Sequence, residues 1–474
     1  MSSRRTKIVA TIGPATRDPD HLELLIRAGV DVVRLNFAHE TPENHAKTAA
    51  SVRAVAAAHD RPIGLLVDLP GPKMRTGPIA GDEVELHAGR SFELTDEDVE
   101  GDATRISTTV KSLSAMVKVG EEIYLADGEI VLRVESNVNG KVSTEILRGG
   151  VLRSRKGMHV PSAERHVQSF TEEDRAAAET AVRIKANFIG LSFIRDADDL
   201  LRAREALPKR GPRPLLVAKI ETRSSLDHLE EIVNEADAVM VARGDLGIQT
   251  PLRQVPMVQK EIIRLCNLQG IPVITATQML ESMTRAPLPT RAEVTDVANA
   301  VLDGTDALML SEETAVGDYP VTTVETMAGI ALAAEQQSRD HAEPATRQRE
   351  DDRVSWAVTH AGVAAAEDLG VQAILCPTRT GSTARRVAAF RPSMPIIGLS
   401  SREQTLGAMA LSWGVLPLPT SDLPEAHDMR EETDRAVEAA RAAGVVQAEG
   451  LVAVVAGSPG PRAGRTDFMR IVRC

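Results

Sequence analysis

The chain has 474 residues, too many for one compact core, and 43% are hydrophobic, so two or three domains are expected. Aromatics supply only 2% and the net charge is −12 with no long basic run, which argues against nucleic acid and anionic membranes as main partners. An anionic small substrate stays open, because a local cluster of Arg, Lys and metal overrides the global field. Along the chain, short apolar runs alternate with longer amphipathic segments such as HLELLIRAG (from His21) and SLDHLEEIVNEA (from Ser225). The runs are KIVATIG (from Lys7), DVVRLNF (from Asp31), IGLLVDL (from Ile63), NFIGLSF (from Asn187), LLVAKIE (from Leu215), AVMVARGDL (from Ala238), PVITATQM (from Pro272) and ALMLSEET (from Ala307). They look buried on both faces, as parallel strands are. Eight strand–helix units describe an α/β fold, a (β/α)₈ TIM barrel, rather than an open doubly wound sheet.

One gap breaks the rhythm. Between Leu69 and Asn187 the pattern changes to short alternating segments: DEVELHAG, RSFELTD, EEIYLADGEIVLRVES and GKVSTEILRGG. Gly, Asn and Asp punctuate them, so an all-β insert is expected on one barrel loop, placed as a lid over the active-site face. The polar stretch EQQSRDHAEPATRQREDD (from Glu335) reads as a linker, and strand–helix alternation resumes after it. The expected division is barrel over 1–69, an inserted β-barrel lid domain over 70–166, barrel again over 167–338, and a C-terminal α/β regulatory domain over 339–474. Cys266, Cys376 and Cys474 are widely spaced and suggest neither a disulfide framework nor a zinc site. The N-terminus lacks the apolar length of a signal peptide, and no apolar run approaches about 18 residues. A soluble, cytoplasmic protein is therefore expected.

In a barrel the carboxyl ends of the strands build the site. Those ends supply Arg34 and Asn36, Asp68, Lys219 and Glu221, Arg243 and Asp245, Thr277 and Gln278, and Glu312, Glu313 and Thr314. Lys219 and Glu221 are two apart and share a strand face. Glu221 and Asp245 form a carboxylate pair suited to Mg²⁺ or Mn²⁺, which keeps water or substrate oxygens in its remaining positions. Lys219 beside them would neutralise a phosphoryl group or an enolate. The plainer alternative is a salt bridge at the barrel rim. In ARGDLG, free N–H groups near Gly244 would receive an anion, with Arg243 and Asp245 serving that anion and its metal. His39, His45 and His159 read as surface or lid residues.

These residues lie in stretches that resemble the pyruvate kinase family: TKIVATIGPATR (from Thr6), RLNFAH (from Arg34), LPGPKMRTG (from Leu69), AKIET (from Ala218), MVARGDLG (from Met240), TATQMLESM (from Thr275) and the long run from Pro289 to Pro320. The resemblance implies phosphoryl transfer from phosphoenolpyruvate to ADP, giving pyruvate and ATP. It implies that Lys219 stabilises the transferring phosphoryl group, and that Glu221 and Asp245 hold the divalent metal. Arg34, Gly244, Asp245 and Thr277 would bind phosphoenolpyruvate, with Thr277 near the enolate face that is protonated. Arg75 and Lys156 (in SRKG) match nucleotide-phosphate contacts, and Asp127 matches a lid acid. A homotetramer is implied as well.

The match has departures. Many members hold K⁺ with Asn, Ser and Asp side chains and a Thr carbonyl, near a Glu. Here Asn36 and Asp68 remain, but Ala38, Leu69 and Lys73 stand at the Ser, Thr and Glu positions. The expectation is that the Lys73 ammonium replaces the monovalent cation, so that K⁺ is not required; the bland reading is a solvated hinge lysine. Glu40 and Glu312 replace glycines of the family pattern without an evident reason. In CPTRTGSTARRVAAFRP (from Cys376), Thr378, Thr380, Gly381, Ser382 and Thr383 suit a phosphorylated effector, fructose bisphosphate, another sugar phosphate or AMP, with Arg385 nearby. An ordinary helix-capping turn is the alternative. Two other functions compete: a Mg²⁺-dependent enolate-forming lyase, and a metabolite sensor with dead chemistry.

Overall fold

The computed structural model describes residues 4–72, 74–126, 128–163, 168–209, 213–338, 352–420, 428–458 and 464–474. Lys73, Asp127 and most of the expected linker lie outside the described residues. The eight apolar runs form one closed parallel barrel. Its strands are β1 (Lys7–Thr11), β2 (Val32–Asn36), β3 (Gly64–Asp68), β4 (Phe188–Leu191), β5 (Leu215–Ile220), β6 (Ala238–Ala242), β7 (Val273–Ala276) and β8 (Ala307–Leu310), and β1 pairs with both β2 and β8.

Alternation along each strand sorts the side chains. Val9, Val32, Leu66, Phe188, Val217, Met240, Ile274 and Met309 pack together inside the barrel. Ile8, Val33, Leu65, Ile189, Leu216, Val239 and Leu308 face the surrounding helices in a separate apolar cluster. This is why the strands read as continuous apolar runs. Inward parity carries upward from Val9, Val32, Leu66 and Val217 to Thr11, Arg34, Asp68 and Lys219, so the polar residues of these strands sit on top of the barrel core.

The helices begin where the sequence caps them. Asp18 accepts a hydrogen bond from the His21 amide at the start of Pro19–Ala28, and Thr171, Thr222 and Thr290 each close a capping box. The segment from Ser225 is not one helix. It splits at His228 into Arg223–Asp227 and Leu229–Glu235, and the His228 ring turns onto Glu231.

The insert folds into a six-stranded sheet and a two-stranded pair around Phe92, Leu94, Ile106, Ile123 and Leu132. Its long hairpin, Ile130–Val138 with Lys141–Arg148, turns at Asn139-Gly140, both at positive φ (55° and 78°). The C-terminal domain is a five-stranded sheet ordered Val415–Pro419, Ile396–Ser400, Ile374–Pro377, Leu451–Ala456 and Phe468–Arg473. Its two edge strands escape the sequence pattern: one carries prolines, tolerated at an edge, and the other is the antiparallel last strand.

The C-terminal domain plugs the amino end of the barrel. Ala410 and Leu411 join the inner barrel core. Arg391 reaches Asp306 Oδ1 at 3.2 Å and covers the Trp413 ring at 4.8 Å, while Lys7 Nζ donates to the Val415 carbonyl at 2.7 Å. Lys7 is 3% exposed. Burial pulls its ammonium from the ordinary 10.5 down to about 8; Arg4 and Arg61 add to this, against Asp31 and Glu335. Between those two values the unfolded chain keeps a proton that the folded chain has released, so this residue's contribution to stability rises with pH. The wild type should therefore gain on a Lys7→Met variant by up to about 1.4 kcal/mol per pH unit above pH 8, read from denaturant midpoints. A difference that stays constant across that range would rule this out.

Candidate active site at the carboxyl end of the barrel

The ends of the five strands β1 to β5 bring together a buried charge cluster. Arg34 donates from Nε and Nη2 to Asp68 Oδ2 (2.8 and 2.6 Å) and from Nη1 to Thr11 Oγ1 (2.9 Å). Lys219 Nζ lies 3.1 Å from Asp68 Oδ1 and 2.9 Å from Glu221 Oε1, and donates to Ser192 Oγ at 2.7 Å. Gly190 makes room for this, since a Cβ there would stand 3.0 Å from Asp68 Oδ1. The cluster is nearly dry: Asp68 and Glu221 are each 1% exposed. Burial alone would raise the Asp68 carboxyl, but Lys219 and Arg34 outweigh it and hold the group below its usual range. On Lys219 the two carboxylates likewise outweigh burial and keep the ammonium protonated.

Glu221 behaves differently. Burial, together with the like charge of Asp245, pushes it up to about 7 despite Lys219 and the Phe193 amide that donates to its Oε2 at 2.8 Å. Asp245 is half-buried, in the first turn of the helix Arg243–Gln249. Two hard oxygen donors repelling each other beside a single lysine suit a divalent cation, which would relieve the repulsion. Among the described residues no group of three or more His, Cys, Asp or Glu side chains is placed to hold a metal ion by itself. The remaining positions around such a cation would then fall to water and substrate oxygens.

Gly244 and Thr277 adjoin this cluster. The Gly244 amide donates to Thr277 Oγ1 at 2.9 Å, and the hydroxyl donates to the Ala276 carbonyl at 2.6 Å. The nearest atom to a Cβ on Gly244 would be Thr277 Oγ1, at 3.7 Å, so the glycine stands in ordinary contact distance of that hydroxyl. Above lies a cleft of about 340 Å³, lined from the lid by Arg75, Tyr124, Lys156 and His159, and from the barrel by His39, Arg195, Asp245, Gln249 and Glu312. Arg75 also donates to the Arg155 carbonyl at 3.2 Å, next to Lys156. His159 stacks on Tyr124 and meets Gln249 Nε2 at 3.3 Å, joining lid to barrel.

Several readings of single residues change. Arg243 does not line the cleft: its guanidinium, 10% exposed, bonds the carbonyls of Ala276, Thr277 and Gln278 and the carboxylate of Asp296. Glu313 and Thr314 are buried framework, Glu313 accepting from the amides of Ser311 and Leu280 and Thr314 donating to the Thr11 carbonyl. Glu312 alone of that trio reaches the cleft. Glu40 sits at φ +64°, a conformation that favours glycine, and faces Arg17 at 3.3 Å. Asn36 pairs with Asp68 across the sheet, and its Oδ1 accepts from the Ala38 amide. The end of β4 goes unread in the sequence, yet Ser192 and Phe193 both touch the cluster; the rule applied to the other strands would have found them.

In the C-terminal domain, Thr378 Oγ1 accepts from the amides of Thr380 (3.4 Å) and Gly381 (3.0 Å), and Gly381, at φ +79°, opens the helix Ser382–Ala389. Thr380 stays exposed on the loop, and Ser382, the first residue of the helix, is half-buried. Thr383 does not: its hydroxyl is buried against Thr466 Oγ1 at 2.9 Å, so it cannot meet a ligand as the pattern of hydroxyls suggested.

A parallel barrel whose strand ends hold a buried lysine among carboxylates, beneath a β lid bringing arginine and lysine, defines an enzyme built to handle anions. Residues 3–324 match the family described as pyruvate kinase, barrel domain, and residues 356–472 match pyruvate kinase, alpha/beta domain. Curated pyruvate kinases are similar over nearly the whole chain: that of Thermococcus litoralis is 40% identical, covering 99% of each chain. That of Geobacillus stearothermophilus is 42% identical, covering 99% of this chain and 80% of its own, and that of Thermotoga maritima is 38% identical, covering 99% of each. The chain belongs to the pyruvate kinase family.

Asp68 is the residue whose loss the geometry makes costly. Asp68→Asn would leave Arg34 without its carboxylate and Lys219 with Glu221 alone. The expected loss is about 3 kcal/mol of stability, measured by urea unfolding. An unchanged midpoint would mean that water already carries these charges.

Proposed function

We propose that the chain transfers a phosphoryl group from phosphoenolpyruvate to ADP, yielding pyruvate and ATP in the cytoplasm. The observation that carries this reading is Lys219, buried between Asp68 and Glu221, at the mouth of a barrel whose cleft gathers Asp245 with Arg75 and Lys156. Lys219 and Arg34 supply positive charge to the moving phosphoryl oxygens. Glu221 and Asp245 would hold Mg²⁺ or Mn²⁺, and bound there the cation adds charge on the same oxygens. The bond from phosphorus to the enol oxygen breaks as one to the terminal ADP oxygen forms. The enolate then takes a proton at its methylene carbon, on the face assigned to Thr277. Arg75 and Lys156 line the cleft and are assigned to the nucleotide phosphates. These two also set the site apart from an enolate-forming lyase, which has no second phosphate to hold.

Lys73 is proposed to replace K⁺ near Asn36 and Asp68, on the sequence argument alone. The loop at Thr378, Thr380, Gly381 and Ser382 is proposed to take a phosphorylated effector, and the exposed Thr380 beside half-buried Thr378 and Ser382 supports this. A homotetramer is proposed too; Leu252, Met257 and Leu288 leave apolar side chains exposed that an assembly would cover.

The test is pyruvate formation from phosphoenolpyruvate and ADP with Mg²⁺, in potassium-free buffer and again with K⁺. Turnover is expected in both, lost on chelation, and lowered about 10³-fold in Lys219→Met. Turnover with K⁺ only would keep the kinase and remove the Lys73 proposal. No turnover in either buffer, with folded protein and all effectors present, would overturn the kinase reading. For regulation, at least one of AMP, fructose bisphosphate and glucose 6-phosphate should lower half-saturating phosphoenolpyruvate. No shift with any of them removes the effector site.

A further inference from the structure

Thr277 and Gln278 lie at φ +67° and +53°, two consecutive non-glycine residues in the left-handed region. For a β-branched threonine this is a true outlier, and each such residue costs about 1–3 kcal/mol. A conformation of this kind persists only where its surroundings impose it. Here one side chain holds the carbonyls. Arg243 Nε approaches the carbonyls of Ala276 (3.3 Å) and Thr277 (3.2 Å), and Nη2 donates to the carbonyls of Thr277 (2.6 Å) and Gln278 (3.2 Å). Carbonyls alternate in direction along a strand, and successive ones turn to a common side only in helical geometry of either hand. The left-handed pair therefore converges them on a single planar cation. Asp296 Oδ2 accepts from Nη1 at 2.6 Å and Gln259 Oε1 at 3.3 Å, which fixes the guanidinium from behind.

We propose that Arg243 is a positioning residue: it holds the Thr277 hydroxyl where the proton step needs it. The same chain segment closes the arrangement, because Gly244, the next residue, donates its amide to Thr277 Oγ1 at 2.9 Å. The two contacts grip Thr277 from its carbonyl and its hydroxyl. Lysine cannot substitute, since a compact ammonium does not reach three carbonyls in one plane. The inference rests on the assignment of Thr277 to protonation of the enolate.

The test separates the proton step from phosphoryl transfer. Incorporation of deuterium from D₂O into the pyruvate methyl group, with Mg²⁺ and ATP, reads proton exchange alone. Arg243→Lys should lower that exchange by about 10- to 100-fold, the cost of a misplaced group, while KM for phosphoenolpyruvate and ADP holds and thermal unfolding shows a folded protein. Asp296→Asn should lower it in the same pattern but less, and serves alone if Arg243→Lys fails to fold. Exchange at the wild-type rate in the folded variant, or a rise in KM with exchange unchanged, overturns the proposal. Thr277→Val controls the premise. Exchange that survives it refutes the Thr277 assignment itself. Exchange lost in Thr277→Val but kept in Arg243→Lys refutes only the positioning role.

Discussion

Asp68 shares one carboxylate between two cations in a barrel mouth that water barely reaches. Isolated charges are expensive to bury, and such a group survives only when every member is paired. The rest of the site follows from meeting that condition. Arg34 takes one oxygen and Lys219 the other, which aims the lysine ammonium and leaves Glu221 only partly compensated. Ser192 and the Phe193 amide absorb what the ions leave over. The cluster thus reaches near-balance with an excess of negative charge on the Asp245 side, where a cation and an anionic substrate are proposed to enter together.

The barrel makes this placement almost automatic. Inward parity, set by the apolar layer at Val9, Val32, Leu66 and Val217, reaches the top layer as Thr11, Arg34, Asp68 and Lys219. That is why strand ends alone expose much of the site in the sequence: the period of two fixes the face, and parallel closure fixes the end. What it does not fix is the partner. Arg243 reads as an anion ligand because it sits in a strand-end charge pair, yet its partners are carbonyls on the next strand's loop and a carboxylate on a distant helix. Glu313 and Thr383 fail the same way, since burial and a non-local hydrogen bond claim groups that local pattern leaves free. Ser192 is missed for a simpler reason, because the end of β4 carries no ionisable pair to draw the eye.

The opposite end of the same strands carries the C-terminal domain. Lys7, two residues below Val9, bonds Val415, and Asp306, just before β8, bonds Arg391 and the Trp413 amide. Ala410 and Leu411 fill the space that would otherwise open beneath the inner core. A rotation of that domain would therefore strip a buried lysine of its carbonyl partner and leave buried Asp306 only the Val273 amide, so the junction has few intermediate positions.

That stiffness bears on how a ligand at Thr378 to Ser382 would be felt at Lys219. The loop and the plug belong to one small domain, since Thr405, in the helix Glu403–Met409 next to Ala410, donates to the Arg379 carbonyl inside the loop. Ordering the loop would bias the plug, and the plug ends on strands whose other ends hold the charge cluster. Contiguity of this kind is a route and not a coupling energy. It requires two packings of the junction that differ in affinity for the effector. The bonds at Arg391, Trp413 and Val415 are among those the packings would have to exchange, together with those of Arg5 to Gly414 and of Asn187 to Gln404.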